Sequence, residues 1–176
     1  MSTDASENLT DLIRTIPDFP KPGIQFKDIT PLLLNPTAFE RSIDDMAAMV
    51  ADLEIDVLAA AEARGFLFAA PLAIKLGKGM VPIRKPGKLP YKKRSYSYEL
   101  EYGTDTLEMH VDGISAGQNV LVVDDLLATG GTVEACCRMI EQCDAKVCGC
   151  LFLINLSFLN GADKLKPYPI FSLVDY

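Results

Sequence analysis

The chain has 176 residues, 49% of them apolar, and a formal net charge of −7. Those values suit a single soluble domain with its own core and argue against nucleic acid as the main partner. The longest apolar run, near Val147–Leu156, is too short to cross a bilayer. Met1–Leu9 carries acids but no base and so lacks the basic flank of a signal peptide, and a cytoplasmic protein with no membrane partner is expected.

Leu9, Leu12, Ile13 and Ile16 have the spacing of a short amphipathic helix, which Pro17, Pro20, Pro22 and Gly23 then break. After Pro36 a second helical pattern runs through Phe39, Ile43, Met46, Ala47 and Val50. Asp56–Ala61 reads as a buried strand ending at the turn Glu62-Ala63-Arg64-Gly65. Phe66–Leu76 reads as a helix with Pro71 in its first turns, and Met80–Arg84 as a second strand. Lys85–Tyr102 is basic and rich in tyrosine. It reads as a long flexible loop flanked by strand, and a loop of that length inside a compact domain is usually functional. Thr106–His110, Gln118–Val123, Lys146–Leu153 and Ile170–Val174 read as strands, and Thr132–Cys143 as a helix. Strands alternating with helices predict an α/β fold with a mainly parallel central sheet flanked by helices. In such a sheet the ligand sits beyond the carboxyl ends of the strands.

Charge and cysteine usage narrow the chemistry. Arg84, Lys85, Lys88, Lys92, Lys93 and Arg94 are six of the 17 basic residues, with no acid between them. On an acidic chain such an island either holds a small polyanion or forms a solvated basic loop. The five cysteines all fall between Cys136 and Cys150; their odd number and the lack of C-x-x-C spacing disfavour a disulfide framework or a zinc site. They read as small buried hydrophobes. The sole histidine, His110, reads as a strand-edge side chain, with a catalytic role the lesser alternative.

The most informative stretch is Val120-Leu-Val-Val-Asp-Asp-Leu-Leu-Ala-Thr-Gly-Gly-Thr132. The apolar run Val120–Val123 is what a strand buried on both faces requires. Asp124 and Asp125 follow where that strand is expected to leave the core. In Ala128-Thr129-Gly130-Gly131-Thr132 the glycines permit close backbone approach, the following helix start offers N–H groups, and Thr129 and Thr132 add hydroxyls. That is a cradle for a phosphate monoester. The two acids must face something else: sugar hydroxyls, a developing cation or a hydrated Mg²⁺. The Lys-bearing nucleotide loop and the Gly-x-Gly-x-x-Gly fingerprint are both absent.

Val120–Thr132 resembles the phosphoribosyl-pyrophosphate (PRPP) motif of type I phosphoribosyltransferases. The blocks Phe19–Pro31, Glu62–Phe66, Ile83–Pro90 and Tyr98–Gly103 resemble the adenine phosphoribosyltransferases more specifically, so the likeness runs from about Pro17 to the C-terminus. The resemblance implies the type I phosphoribosyltransferase fold as one domain over residues 1–176, with a small N-terminal hood from residues 1–35 and a flexible catalytic loop. It implies purine salvage: adenine and PRPP give AMP and pyrophosphate, with Mg²⁺ held mainly through PRPP and water and with no direct protein ligand. Relatives that act on another purine base, or that only bind PRPP as regulators, are the competing expectations.

By the same resemblance Ala128, Thr129, Gly130, Gly131 and Thr132 hold the 5-phosphate. Asp124 and Asp125 face the ribose and stabilise positive charge at the anomeric carbon. Arg64 binds pyrophosphate from a turn that in this family often contains a non-proline cis peptide. Arg84, Lys85 and Lys88 reach pyrophosphate, in part from a neighbouring subunit, which implies a homodimer. Glu101 is the catalytic carboxyl beside the purine, with Glu99 its near neighbour. Phe26 stacks on adenine, while Gln25 and Lys27 offer main-chain groups to its edge. Gln25, Lys27 and Ala63 depart from the commoner family residues, and all three bear on how strictly adenine is preferred.

Overall fold

The computed structural model describes residues 8–99 and 104–176, and the chain divides into two compact units, Met1–Asp45 and Met46–Tyr176. In the first unit the helix expected over Leu9–Ile16 is replaced. Leu9–Leu12 forms only a 3-10 turn, and β1 (Arg14–Pro17) pairs antiparallel with β2 (Gln25–Asp28). The cause is local: the residue before a proline is steered out of helical angles, and Ile16 precedes Pro17. In its extended form Ile16 sits opposite Phe26. The connection carries a cis Phe19–Pro20 bond and Gly23 at φ 88°, whose N–H donates to Asp18 Oδ1 at 2.8 Å. After β2, Arg14 clamps the pair by donating to Asp28 Oδ2 from Nη2 at 2.5 Å and from Nε at 3.0 Å. Two helices follow, α1 (Thr30–Leu34) and α2 (Pro36–Met49). The second is the helix expected after Pro36, and it buries Ile43, Met46 and Ala47.

The second unit is built on five parallel strands: β3 (Val57–Ala61), β4 (Gly79–Ile83), β7 (Asn119–Leu127), β8 (Lys146–Asn155) and β9 (Ile170–Asp175), in the order β4-β3-β7-β8-β9. β3 is buried at every position, as a strand between two neighbours and two covering layers must be. α3 (Gly65–Leu76) connects β3 to β4, and α4 (Gly131–Glu141) connects β7 to β8. Pro71 lies inside α3, which begins at Gly65 directly after the turn, one residue earlier than expected.

Two further differences bear on the site. Much of the segment expected as a flexible loop is strand: β5 (Lys93–Glu99) pairs antiparallel with β6 (Thr104–His110) from Lys93↔His110 to Glu99↔Thr104. Tyr96 and Tyr98 alternate with exposed Ser95 and Ser97 and lay their rings on the core, which is the period of a half-buried strand. The hairpin joins the end of β4 through Arg84 and Glu108, whose backbones exchange hydrogen bonds of 2.8 and 2.7 Å. β7 also runs past Val123 to Leu127. Its pairing with β3 stops at Val123, while β8 continues beside Asp124, Leu126 and Leu127. The acids therefore stand on the strand and not beyond it.

The expectation of buried cysteines holds for four of the five, Cys148 being half-buried. Cys136, Cys137, Cys143 and Cys150 are buried and unbridged, with Cys137 Sγ and Cys150 Sγ 3.8 Å apart. Among the described residues His110 Nε2 is buried without a hydrogen-bond partner, and its ring meets Tyr91 edge-on at 5.9 Å.

Candidate active site

The carboxyl ends of β3 and β7 open into a cavity of about 260 Å³, lined by residues 62–64, Lys85 and residues 124–133. Its floor is the loop between β7 and α4. Gly130 adopts the left-handed conformation at φ 80°, and a Cβ there would stand 2.5 Å from Gly161 O. Gly161 is equally constrained, since its own Cβ would fall 2.1 Å from Ala128 O. Two glycines from distant segments thus let two backbones cross in contact, which shapes the loop. The first hydrogen bond of α4 runs from Glu134 N to Gly130 O at 2.9 Å, and no side chain caps the helix. The amides of Gly131, Thr132 and Val133 precede that bond, so the helix start presents its donors at the cavity.

The acids lie beside this loop. Asp125 is 3% exposed, and its N–H donates to Asp124 Oδ1 at 2.8 Å. Arg64 Nε stands 3.1 Å from Asp125 Oδ2. This is a charge contact without hydrogen-bond alignment, since that oxygen has no hydrogen-bond partner among the described residues. Burial pushes the Asp124 carboxyl well up, and the charge of Asp125 adds to it. Burial also raises Asp125, while Arg64 opposes the shift. Gly65 has a packing reason: a Cβ there would come within 3.0 Å of both Asp124 Oδ1 and Val123 O.

The turn before α3 contains the non-proline cis peptide, between Glu62 and Ala63. Glu62 Oε2 accepts from Arg84 Nε at 2.9 Å and from Lys85 N at 3.0 Å. Burial would raise the Glu62 carboxyl, but these two donors leave it below the usual value. Arg84 also lies 6.0 Å from the centre of the Phe66 ring. Of the four basic residues expected at pyrophosphate, then, Arg64 and Lys85 line the cavity of this chain, and Arg84 and Lys88 do not. Gln25, Phe26 and Lys27 stand together on β2 in the first unit, where the Phe26 ring meets Phe19 edge-on at 5.1 Å. Glu101 lies outside the described residues.

Three residues that the sequence reading passed over belong here. Gly161 shapes the loop, and its Asn160-Gly161 pair is a turn signal visible in the chain. Tyr98 and Asp105 come from the hairpin. The Tyr98 hydroxyl donates to Asp105 Oδ2 at 3.1 Å and lies 3.2 Å from Thr132 Oγ1, which stitches β5 to the start of α4. Nothing in the linear order joins Tyr98 to Thr132; only the fold does.

The phosphoribosyl transferase domain model matches residues 33–173. An adenine phosphoribosyltransferase of Rhodopirellula baltica is 60% identical over 93% of this chain and 80% of its own length. One from Roseiflexus sp. is 56% identical over 96% of this chain and 98% of its own. The chain belongs to the adenine phosphoribosyltransferase family. The crystal structure of the family member from Thermoanaerobacter pseudethanolicus superposes with a TM-score of 0.94 at 54% identity, covering 96% of this chain and 98% of that one. That of the Saccharomyces cerevisiae enzyme, complexed with an imino-altritol bisphosphate and adenine, gives 0.87 at 40% identity over 94% and 96%. Membership makes the chain a pentosyltransferase with the type I phosphoribosyltransferase fold.

Proposed function

We propose that the cavity at the ends of β3 and β7 is the PRPP site of this enzyme. The chain transfers the 5-phosphoribosyl group of PRPP to adenine, giving AMP and pyrophosphate in purine salvage. The observation that carries the site assignment is the glycine-wedged loop, which aims the first amides of α4 into the same cavity as two carboxylates. Residues 128–132 take the 5-phosphate on backbone N–H groups and the Thr129 and Thr132 hydroxyls. Asp124 and Asp125 face the ribose, where carboxylates stabilise the positive charge that develops as the bond to pyrophosphate lengthens. Arg64 and Lys85 receive the departing pyrophosphate, and Asp125 keeps the Arg64 side chain at the cavity. Glu101 manages the proton of the purine's imidazole nitrogen.

Three carboxylates line the cavity; Glu62 accepts from Arg84 and Lys85 and Asp125 stands beside Arg64, so a Mg²⁺ would be held mainly through PRPP and water. When bound, the ion neutralises charge on the pyrophosphate. Phe26, Gln25 and Lys27 form the adenine-recognition segment. Residues 1–35 are read as the hood of a single phosphoribosyltransferase domain. Arg84 and Lys88, which do not line this chain's cavity, serve a neighbouring subunit's pyrophosphate in a homodimer. The exposed apolar side chains Leu67 and Ile74 on α3 support such an interface, Ile74 being 84% exposed. We read the protein as cytoplasmic; no helix among the described residues is long and apolar enough to cross a membrane.

Incubation with PRPP, Mg²⁺ and, in turn, adenine, hypoxanthine, guanine and xanthine tests the activity. AMP from adenine and no nucleotide from the other bases is the expected result. The absence of AMP sinks the reading, and a second nucleotide would trace to Gln25 or Lys27.

A further inference from the structure

Lys85 is held twice. Its backbone N–H is fixed on Glu62, while its ammonium is paired with Asp105 Oδ2. Asp105 is itself an immobile acceptor: Thr106 N–H donates to its Oδ1 at 2.8 Å, and the Tyr98 hydroxyl donates to its Oδ2 at 3.1 Å. Tyr98 is in turn anchored to Thr132 of the phosphate loop. The carboxylate is therefore built into the hairpin, and the four-carbon arm of Lys85 is the part able to move. The pair is solvent-screened, with side chains 40% and 26% exposed, so it can exchange partners at small cost. A fixed carboxylate on the very lysine that faces the cavity also repels an incoming phosphoryl anion.

We propose that Asp105 is the resident counter-anion of Lys85, holding its ammonium between turnovers and giving it up to pyrophosphate when the site fills. The proposal rests on reading Lys85 as a pyrophosphate contact. Asp105 is then a positioning residue that touches no substrate. It offers Lys85 an alternative partner and so eases pyrophosphate off the enzyme after transfer.

The test is a double-mutant cycle on the full chain, reading Mg²⁺-pyrophosphate binding by calorimetry and steady-state constants in parallel. Asp105→Asn keeps the side chain's shape and removes its charge. It should tighten pyrophosphate and lower the KM for PRPP by roughly two- to fivefold, the size of an exposed ion pair's contribution, with the KM for adenine unchanged. Asp105→Ala should act in the same direction. In a Lys85→Gln background the Asp105→Asn effect should vanish. Weaker pyrophosphate binding in Asp105→Asn overturns the proposal, because the carboxylate would then be presenting Lys85 to ligand. An equal tightening with Lys85 absent overturns it in favour of general charge repulsion, and no change makes Asp105 a bystander. If Lys85→Gln alone binds pyrophosphate as the unmodified chain does, the Lys85 reading fails and the exchange fails with it. AMP formation from adenine by the unmodified chain is scored separately.

Discussion

At the scale of single residues, the site sets acids in an environment that resists their charge. Asp125 is buried and Asp124 beside it is half-buried, and loss of hydration raises both carboxyls above their ordinary value. A carboxyl whose folded pKa lies above its unfolded one favours the fold at low pH. That contribution is complete below the unfolded value, near 3.8, and is lost as pH rises through the folded one. Asp124→Asn should therefore be more stable than the unmodified chain at pH 7, with the gain shrinking as pH falls through the folded value and gone below about pH 4, while turnover falls steeply. Urea midpoints across pH, set beside kcat, check both halves; a less stable variant at pH 7 would contradict the burial argument. Glu101→Gln should lower kcat by roughly 10²–10⁴-fold with PRPP affinity kept, as loss of a proton-transfer group does. Single-turnover kinetics with calorimetric PRPP binding separate the two quantities. Gly161→Ala places a methyl group 2.1 Å from Ala128 O, against backbone that cannot rotate aside. The phosphate loop must shift, and the expected result is a KM for PRPP raised by more than tenfold together with about 1–3 kcal/mol of lost stability. An unchanged KM would mean that the crossing of the two backbones does not shape the cradle.

At the scale of elements, the helix expected over Leu9–Ile16 gave way to β1 because amphipathic spacing alone does not outweigh the restriction Pro17 places on Ile16. Its pairing with β2 relies on Asp28, which accepts from the Thr30 hydroxyl and from Arg14, and these bonds hold its carboxyl at about 2. A lowered carboxyl stabilises above its unfolded pKa, and that support drains away as pH falls through the folded one. Acid should therefore loosen the β1–β2 pair between about pH 4 and pH 2, and Asp28→Asn should remove that dependence. Amide exchange at Ile16 and Phe26 over this range gives the readout. The stretch around β5 misled in the opposite way. Its lysines and turn residues read as loop, yet Tyr96 and Tyr98 alternate with serines, the one strand signal present. Partner strand β6 made that weak alternation into a hairpin. The same explains β7, whose last residues stay in the sheet because β8 continues beside them.

At the scale of the whole molecule, local chemistry determined much from the sequence alone. Alternating buried strands and amphipathic helices predict the parallel sheet, because a chain must cover both faces of such strands. The Asp-Asp and Thr-Gly-Gly-Thr pattern predicts a phosphate cradle, because glycine angles and helix amides are local properties. The tertiary structure alone decided which distant groups meet there. Gly161 against Ala128, Tyr98 against Thr132, Asp105 on Lys85, and Arg84 drawn onto Glu62 all join segments far apart in the chain. Such pairings follow from strand order and register, which arise from packing the whole sheet at once, so they leave no periodic trace in the order of residues.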